Sequence, residues 1–361
     1  MKRISLIGLF VLIAVTLCAE TASVTGRGLR ASSVGPFGRG LFRYAPFGHS
    51  LYADMHPNFV RFDISYATNR PAYDWGKHTD APYRWQTMGV FGFNLPIWCG
   101  NLKDSTYALS VTMALSANLW MDFFDFRTSP IVDTDYRIGI PTATFLHRVN
   151  RGFLKNYSVA WSPFKHESTH IGDELQVKRV EEGYAIKRVN VSYNYTEFVF
   201  TLNEAEDRYA ENHCIRLGLM VLWHGGWFNI DPWDGNQQSV DPRGTEHVPY
   251  GQRNPWELYL QYQYQSPTSP HGFQGIASAE IRNRECYGYD LEAKTGNEPI
   301  PAERRVFTYN IFMGARYNTP NYDGYFSRFA LGVRMYHGNC PYGQFRSITN
   351  YSQIGVCMIF E

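Results

Sequence analysis

The sequence predicts an all-β chain closed into an antiparallel transmembrane β-barrel of about 12 strands, with about 14 as the alternative. Three observations predict it. Apolar and polar residues alternate with a period of two through most of the chain, which puts successive side chains on opposite faces of a strand. The segments between these runs alternate long and short. Aromatic residues make up 16% of the chain, with 25 Tyr, 24 Phe and 9 Trp, yet no run beyond the N-terminus is long and apolar enough to cross a bilayer as a helix. Barrel strands need only one apolar face, and Tyr and Trp suit the two membrane interfaces.

The chain begins with a secretory leader, residues 1–19. Lys2 and Arg3 precede an uncharged run from Ile4 to Val15 that gives way to small residues near Cys18 and Ala19. The run is too short for an anchor and is followed by Glu20 and Thr21. Leu17 stands where a lipidation motif wants a small residue, so cleavage and export are expected. The expected destination is the outer membrane of a Gram-negative bacterium, with outer-membrane lipids and the barrel-assembly machinery as partners. A net charge of +1 argues against nucleic acid, which requires clustered Lys and Arg. No cofactor is expected.

Thirteen segments alternate well enough to be strands: 59–67, 87–97, 106–120, 131–145, 153–166, 174–182, 186–203, 213–228, 255–265, 272–282, 305–317, 325–337 and 351–360. Single-chain bacterial barrels use even numbers, so twelve are expected, with one early segment cut wrongly. In 255–265 the apolar face carries Trp256, Leu258, Leu260, Tyr262 and Tyr264, opposite Glu257, Tyr259, Gln261 and Gln263. In 325–337, Phe329, Leu331, Val333 and Met335 oppose Arg328 and Arg334. Arginines on one face suit a polar lumen far better than an apolar core. The run 189–202 switches its apolar face near Glu197, as at a bulge or where a strand leaves the lipid band. The final strand ends on Phe360, like the terminal signal of outer-membrane barrels, although Glu361 follows it.

Read back from the C-terminus, the connections 338–350, 283–304 and 229–254 are long and 318–324, 266–271 and 204–212 short. Barrels keep short turns periplasmic and long loops outside. Residues 20–56 form an N-terminal segment, periplasmic or packed against the barrel at 57–361. Of the cysteines beyond the leader, Cys286 and Cys340 both fall in loops and are the first guess for a disulfide.

Several strings look familiar: Leu51-Tyr-Ala-Asp54 with His56-Pro57, Asp135-Tyr-Arg-Ile-Gly-Ile-Pro141, His166-Glu-Ser-Thr-His-Ile-Gly-Asp-Glu174 and Arg188-Val-Asn-Val-Ser-Tyr193. Together they resemble the bacterial family called domain of unknown function 1207, over roughly residues 40–361. That resemblance implies an outer-membrane barrel-like protein and supplies no reaction.

His166, Ser168, His170, Asp173 and Glu174 are the densest set of potentially catalytic side chains. If the strand runs on from Tyr157, Val159 and Trp161 without a bulge, those three face lipid and His166, Ser168 and His170 face the lumen; Pro163 is the residue able to shift that register. A His two residues from a Ser resembles outer-membrane phospholipase A, where such a strand pair performs acyl transfer with an Asn as orienter. That pair acts from the lipid-facing side, and no orienting residue can be named here from sequence. The competing reading is a lumen network, with Asp173 and Glu174 paired to inward arginines such as Arg137, Arg216, Arg328 and Arg334, and with Asp135 and Arg137 as a further lumen ion pair. A metal site is not expected, because His166 and His170 on a strand stand about 13 Å apart. An aromatic platform at Trp223–Trp227 and Asp231–Asp234 is read as interfacial girdle. The expected function is therefore a barrel acting as a channel, a ligand-binding or a structural envelope protein, with a serine-type hydrolase of lipid or lipopolysaccharide acyl chains as the alternative.

Overall fold

The computed structural model describes residues 47–68, 85–102, 106–121, 131–171, 186–206, 209–222, 227–233, 256–285, 305–318, 328–342 and 351–361. Fourteen strands appear among them: β1 (Val60–Thr68), β2 (Trp85–Leu102), β3 (Tyr107–Met121), β4 (Ile131–Gly139), β5 (Thr142–Arg151), β6 (Leu154–Ile171), β7 (Ile186–Leu202), β8 (Asn212–Leu222), β9 (Trp227–Trp233), β10 (Trp256–Gln265), β11 (Phe273–Glu285), β12 (Arg305–Asn318), β13 (Arg328–Gly338) and β14 (Tyr351–Phe360). They make a closed antiparallel barrel of twelve positions. β4 and β5 follow one another between β3 and β6 and so count once. β8 and β9 both run along β7 and likewise count once. The β1–β14 pairing, from Val60↔Phe360 to Thr68↔Ser352, closes the wall. Twelve of the thirteen segments read from the sequence coincide with these positions, and the remaining one, 174–182, lies outside the described residues.

The alternation becomes an inside and an outside. Along β10, Trp256, Leu258, Leu260 and Tyr262 are exposed on the membrane-facing side, while Glu257, Gln261 and Gln263 are buried within. The inner wall is a lattice of charge. Asp63 meets Arg61 at 3.0 Å and Arg334 at 3.3 Å, and Arg282 meets Glu280 at 2.9 Å. Buried ions are tolerable only when paired in this way, and truncating one partner of such a pair costs roughly 3–5 kcal/mol. Gly218 is one of the positions where the wall needs a glycine. The Tyr259 ring lies flat over Gly218, its cross-strand partner, where any Cβ would collide with it. That placement lets Tyr259 donate to Glu197 Oε1 at 2.9 Å beneath the Arg282 guanidinium.

Residues 47–59 occupy the lumen. Their backbone is served by inner-wall side chains: Tyr52 N donates to Gln263 Oε1, Ala53 N to Ser278 Oγ and Met55 N to Glu280 Oε2, and Asn310 Nδ2 donates to the Ala53 carbonyl. A segment without a strand partner can be buried only if its peptide groups find such partners. At the long-loop mouth, Tyr342 stacks on Trp120 with ring centroids 4.5 Å apart, in a cluster with Met55, Tyr336 and Tyr351. Between the lumen segment and the wall of β3–β8 there remains a polar cavity of about 80 Å³.

Cys340 is buried in that cluster as a free thiol, so the guessed bond to Cys286, which lies outside the described residues, is not made.

Candidate functional site

The expected inward register of His166, Ser168 and His170 is wrong, and Pro163 is the reason. Up to Ser162, β6 pairs with β7 in one register, with Ser162 opposite Glu197; from Lys165, opposite Tyr195, the register has shifted by one. Pro163 and Phe164 thus stand against the single residue Thr196. Proline has no N–H to give a ladder and is confined to such irregularities within sheets. The bulge is held from both sides: Thr196 Oγ1 donates to the Pro163 carbonyl at 2.9 Å, and Ile140 N donates to the Phe164 carbonyl at 3.0 Å. The bulge anticipated near Glu197 is therefore real in height but belongs to β6.

A one-residue slip sends every later side chain to the other face. Beyond the bulge, Glu167 and Thr169 are buried in the lumen, 4% and 1% exposed. Glu167 Oε2 accepts from Arg137 Nε at 3.1 Å, Thr169 Oγ1 donates to Asp133 Oδ1 at 3.1 Å, and Lys165 pairs with Glu197. His166, Ser168 and His170 consequently project from the outer face. Asp135 and Arg137 are buried in the lumen as expected, with Arg137 also donating to Ser116 Oγ at 3.3 Å. Its partner on β6 is Glu167. Asp173 and Glu174 lie outside the described residues, as do the side chains of the 223–227 and 231–234 platform.

On the outer face the shifted register sets His166 directly across from Asn194 of β7. His166 Nδ1 lies 2.8 Å from Asn194 Oδ1. An amide oxygen can only accept, so this contact suits the tautomer that carries its proton on Nδ1 and presents Nε2 as the acceptor. Ser168 follows on the same face, about 6.6 Å further along the strand. Across from it on β4 stands Tyr136, 50% exposed, and across from His166 stands Ile138, 51% exposed. Tyr136 touches the ring of His170 edge-on, with centroids 5.8 Å apart and planes at 62°. His166 and His170 flank Ser168 from below and above. Among the described residues, no group of three or more His, Cys, Asp and Glu is placed to hold a metal ion.

Asn194 escaped the sequence reading. Its role depends on which residue of β7 meets His166, and that is fixed by the bulge. A Pro three residues before the His was the signal.

No family model matches the chain, and no curated protein sequence matches it. Among solved structures, it is similar to the outer membrane phospholipase dimer with bound calcium from Salmonella typhi, at 12% identity and a TM-score of 0.45 over 84% of this chain and 90% of that one. It is similar to outer membrane phospholipase A from Escherichia coli at 11% identity and a TM-score of 0.44, over 89% and 95% of the two chains. LpxR from Salmonella typhimurium matches at 11% identity and a TM-score of 0.30, over 83% and 99%. These likenesses are of fold alone; the chain's own strand pairing makes it a closed twelve-stranded antiparallel β-barrel.

Proposed function

We propose that this barrel is an outer-membrane acyl hydrolase that cleaves ester-linked fatty acids from the lipids around it, with Ser168 as nucleophile, His166 as general base and Asn194 as the group that orients the base. One observation carries the reading: the 2.8 Å contact from His166 Nδ1 to Asn194 Oδ1, on the face that also bears Ser168. Nucleophilic hydrolases need a base within reach of the hydroxyl and a third group that fixes the base. The inward register that separated this chain from the phospholipase arrangement does not occur.

Height along the wall supports the same reading. Tyr157, hydrogen-bonded to His147 at 2.8 Å, belongs to the aromatic belt at the short-turn mouth, where Tyr107 stacks on His147. Allowing for the bulge, Ser168 stands about ten ladder steps above Tyr157. At a rise of about 3.3 Å per residue and a tilt near 40°, that is about 25 Å, the height of the apolar band. Ser168 therefore sits where the ester linkages of the outer leaflet lie. The exposed Ile138, Ile140 and Phe198 below it offer an apolar surface to acyl chains.

In the reaction, Ser168 Oγ attacks the ester carbonyl as its proton passes to His166 Nε2. The resulting imidazolium is held by Asn194. It returns the proton to the departing alcohol, and water, activated by the same nitrogen, releases the fatty acid. The channel alternative is weakened by the lumen segment 47–59 and the Trp120–Tyr342 stack, which fill the interior and one mouth.

The test uses the purified, refolded protein in vesicles of phospholipid or lipopolysaccharide, scored for fatty-acid release and for covalent labelling by a fluorophosphonate. Release and labelling are both lost in Ser168→Ala, whose folded state is checked by its migration in unheated gels. Unchanged release in that variant removes Ser168 from the chemistry.

A further inference from the structure

We propose that His170, braced by Tyr136, is the electrophilic partner of Ser168, its ring N–H donating to the oxygen that becomes negative when Ser168 attacks an ester. The inference rests on Ser168 being the nucleophile and adds a second, distinct role for a histidine at the same site.

Ser168 has a histidine on each side along the outer face, each one strand repeat or about 6.6 Å away. Their surroundings differ. His166 faces Asn194, whose amide oxygen suits a proton on Nδ1 and an acceptor at Nε2. His170 faces the β4 side, where the edge contact with Tyr136 holds its ring beside Ser168's own cross-strand neighbour. One histidine is thus prepared as an acceptor, and the other stands on the opposite side of the nucleophile, where a donor is required.

The need for such a donor follows from the backbone. Acyl transfer builds charge on the carbonyl oxygen, and many hydrolases meet it with amides exposed at a sharp turn. Ser168 is instead part of a regular strand, paired on both edges, with β4 from Lys165 to Ile171 and with β7 from Lys165 to Ser168. Amides engaged in ladders are not available to a substrate, so the outer face must draw on side chains. On that face His170 follows Ser168 by one strand repeat, and the half-exposed Tyr136 stands across from Ser168 on β4.

The step balances. A bond forms between Ser168 Oγ and the acyl carbon as the Oγ proton moves to His166. The carbonyl π pair moves onto oxygen, where the His170 N–H holds it, and returns as the ester C–O bond breaks. The alcohol leaves with the proton from His166.

The experiment compares His170→Leu and His170→Gln with the parent protein on a soluble p-nitrophenyl ester, which has no phosphate headgroup. Loss of an oxyanion donor lowers kcat by about 100- to 1000-fold. The expected result for His170→Leu is a fall in kcat of that size with KM within twofold, and an equal slowing of fluorophosphonate labelling at Ser168. His170→Gln, which keeps an N–H, recovers at least tenfold of it. Equal kcat in the two variants, or an effect on KM alone, overturns the oxyanion role while leaving Ser168 as nucleophile. A headgroup role would give a defect confined to phospholipid substrates, and that result also overturns it. A parent protein that neither cleaves the ester nor is labelled at Ser168 overturns both readings together.

Discussion

Replacing Asn194 by alanine tests the orienting contact directly. At 2.8 Å between neutral partners, the His166–Asn194 hydrogen bond contributes about 1 kcal/mol in the resting state. When His166 takes the proton of Ser168 the same bond becomes charge-assisted and is worth roughly 1.5–3 kcal/mol. Only the gain over the resting bond, roughly 0.5–2 kcal/mol, acts on the barrier. At about 1.4 kcal/mol per factor of ten, Asn194→Ala should lower kcat by about 2- to 30-fold and move KM little. Asn194→Asp, which restores an acceptor on the Nδ1 side, should recover most of the loss. The assay is steady-state ester hydrolysis in detergent micelles, with Ser168→Ala as the zero point. Activity within twofold of the parent in a folded Asn194→Ala variant would show that the contact plays no part in catalysis, and the triad reading would fail.

Three further outcomes follow from the wall and its contents. Arg137→Ala or Glu167→Ala should destabilise the barrel by about 3–5 kcal/mol in urea titrations, whereas replacing both by Met and Leu should restore much of it, since the pair is buried and made at 3.1 Å. The intact protein should be silent in planar bilayers, and conductance should appear only when residues 47–57 are deleted and Tyr342 is replaced by Gly, because the two obstructions lie in series. Burial holds the Cys340 thiol well above its usual range, and as an acid favoured in its neutral form it contributes stability that is complete below the unfolded thiol value of about 8.5 and lost as pH rises past it. Cys340→Ser should flatten that alkaline loss in a melting series from pH 7 to pH 10.

The fold was legible wherever a strand kept one parity from end to end. β10, β12 and β13 contain no bulge, and their lipid-facing rows Trp256–Tyr262, Phe307–Met313 and Phe329–Met335 read directly from the sequence. The lumen segment was not legible, because Leu51 to Asn58 shows no period. Its partners Gln263, Ser278, Glu280 and Asn310 look in the sequence like any inward polar residues. The candidate site was legible in part. The His-x-Ser-x-His spacing depends only on neighbours along one strand, whereas Asn194 lies 28 residues from His166 and is brought to it by register. Period-two reasoning assigns two sets of faces and cannot tell which set is inside once a bulge intervenes. The sign has to come from partners such as Arg137.

Deleting Pro163 would reveal what sets that sign. With one residue fewer, the bulge closes and one half of β6 has to slip. If the upper half slips, Lys165 and Glu167 turn to the lipid and the Lys165–Glu197 and Arg137–Glu167 ion pairs are lost, at roughly 3–5 kcal/mol for each broken pair. If the lower half slips, the inward bonds lost are Asn156 Nδ2 to the Glu204 carbonyl and to Glu206 Oε2, Ser158 Oγ to Glu204 Oε1 and the Thr142–Ser162 hydroxyl pair, at about 1 kcal/mol for each neutral bond and roughly 1.5 kcal/mol or more for each bond to a carboxylate, and Val159 and Trp161 turn toward the lumen. The lower half is the cheaper one to move. The deletion should therefore yield a barrel less stable by several kcal/mol in which Ser168 still faces outward and still takes a fluorophosphonate. A folded deletion variant in which Ser168 has become unreactive would mean that the upper half moved, and that the Arg137–Glu167 and Lys165–Glu197 pairs do not set the register. On the expected outcome, lumen chemistry and outer-face chemistry are one constraint, because each inward ion pair on upper β6 commits its neighbour to the lipid side.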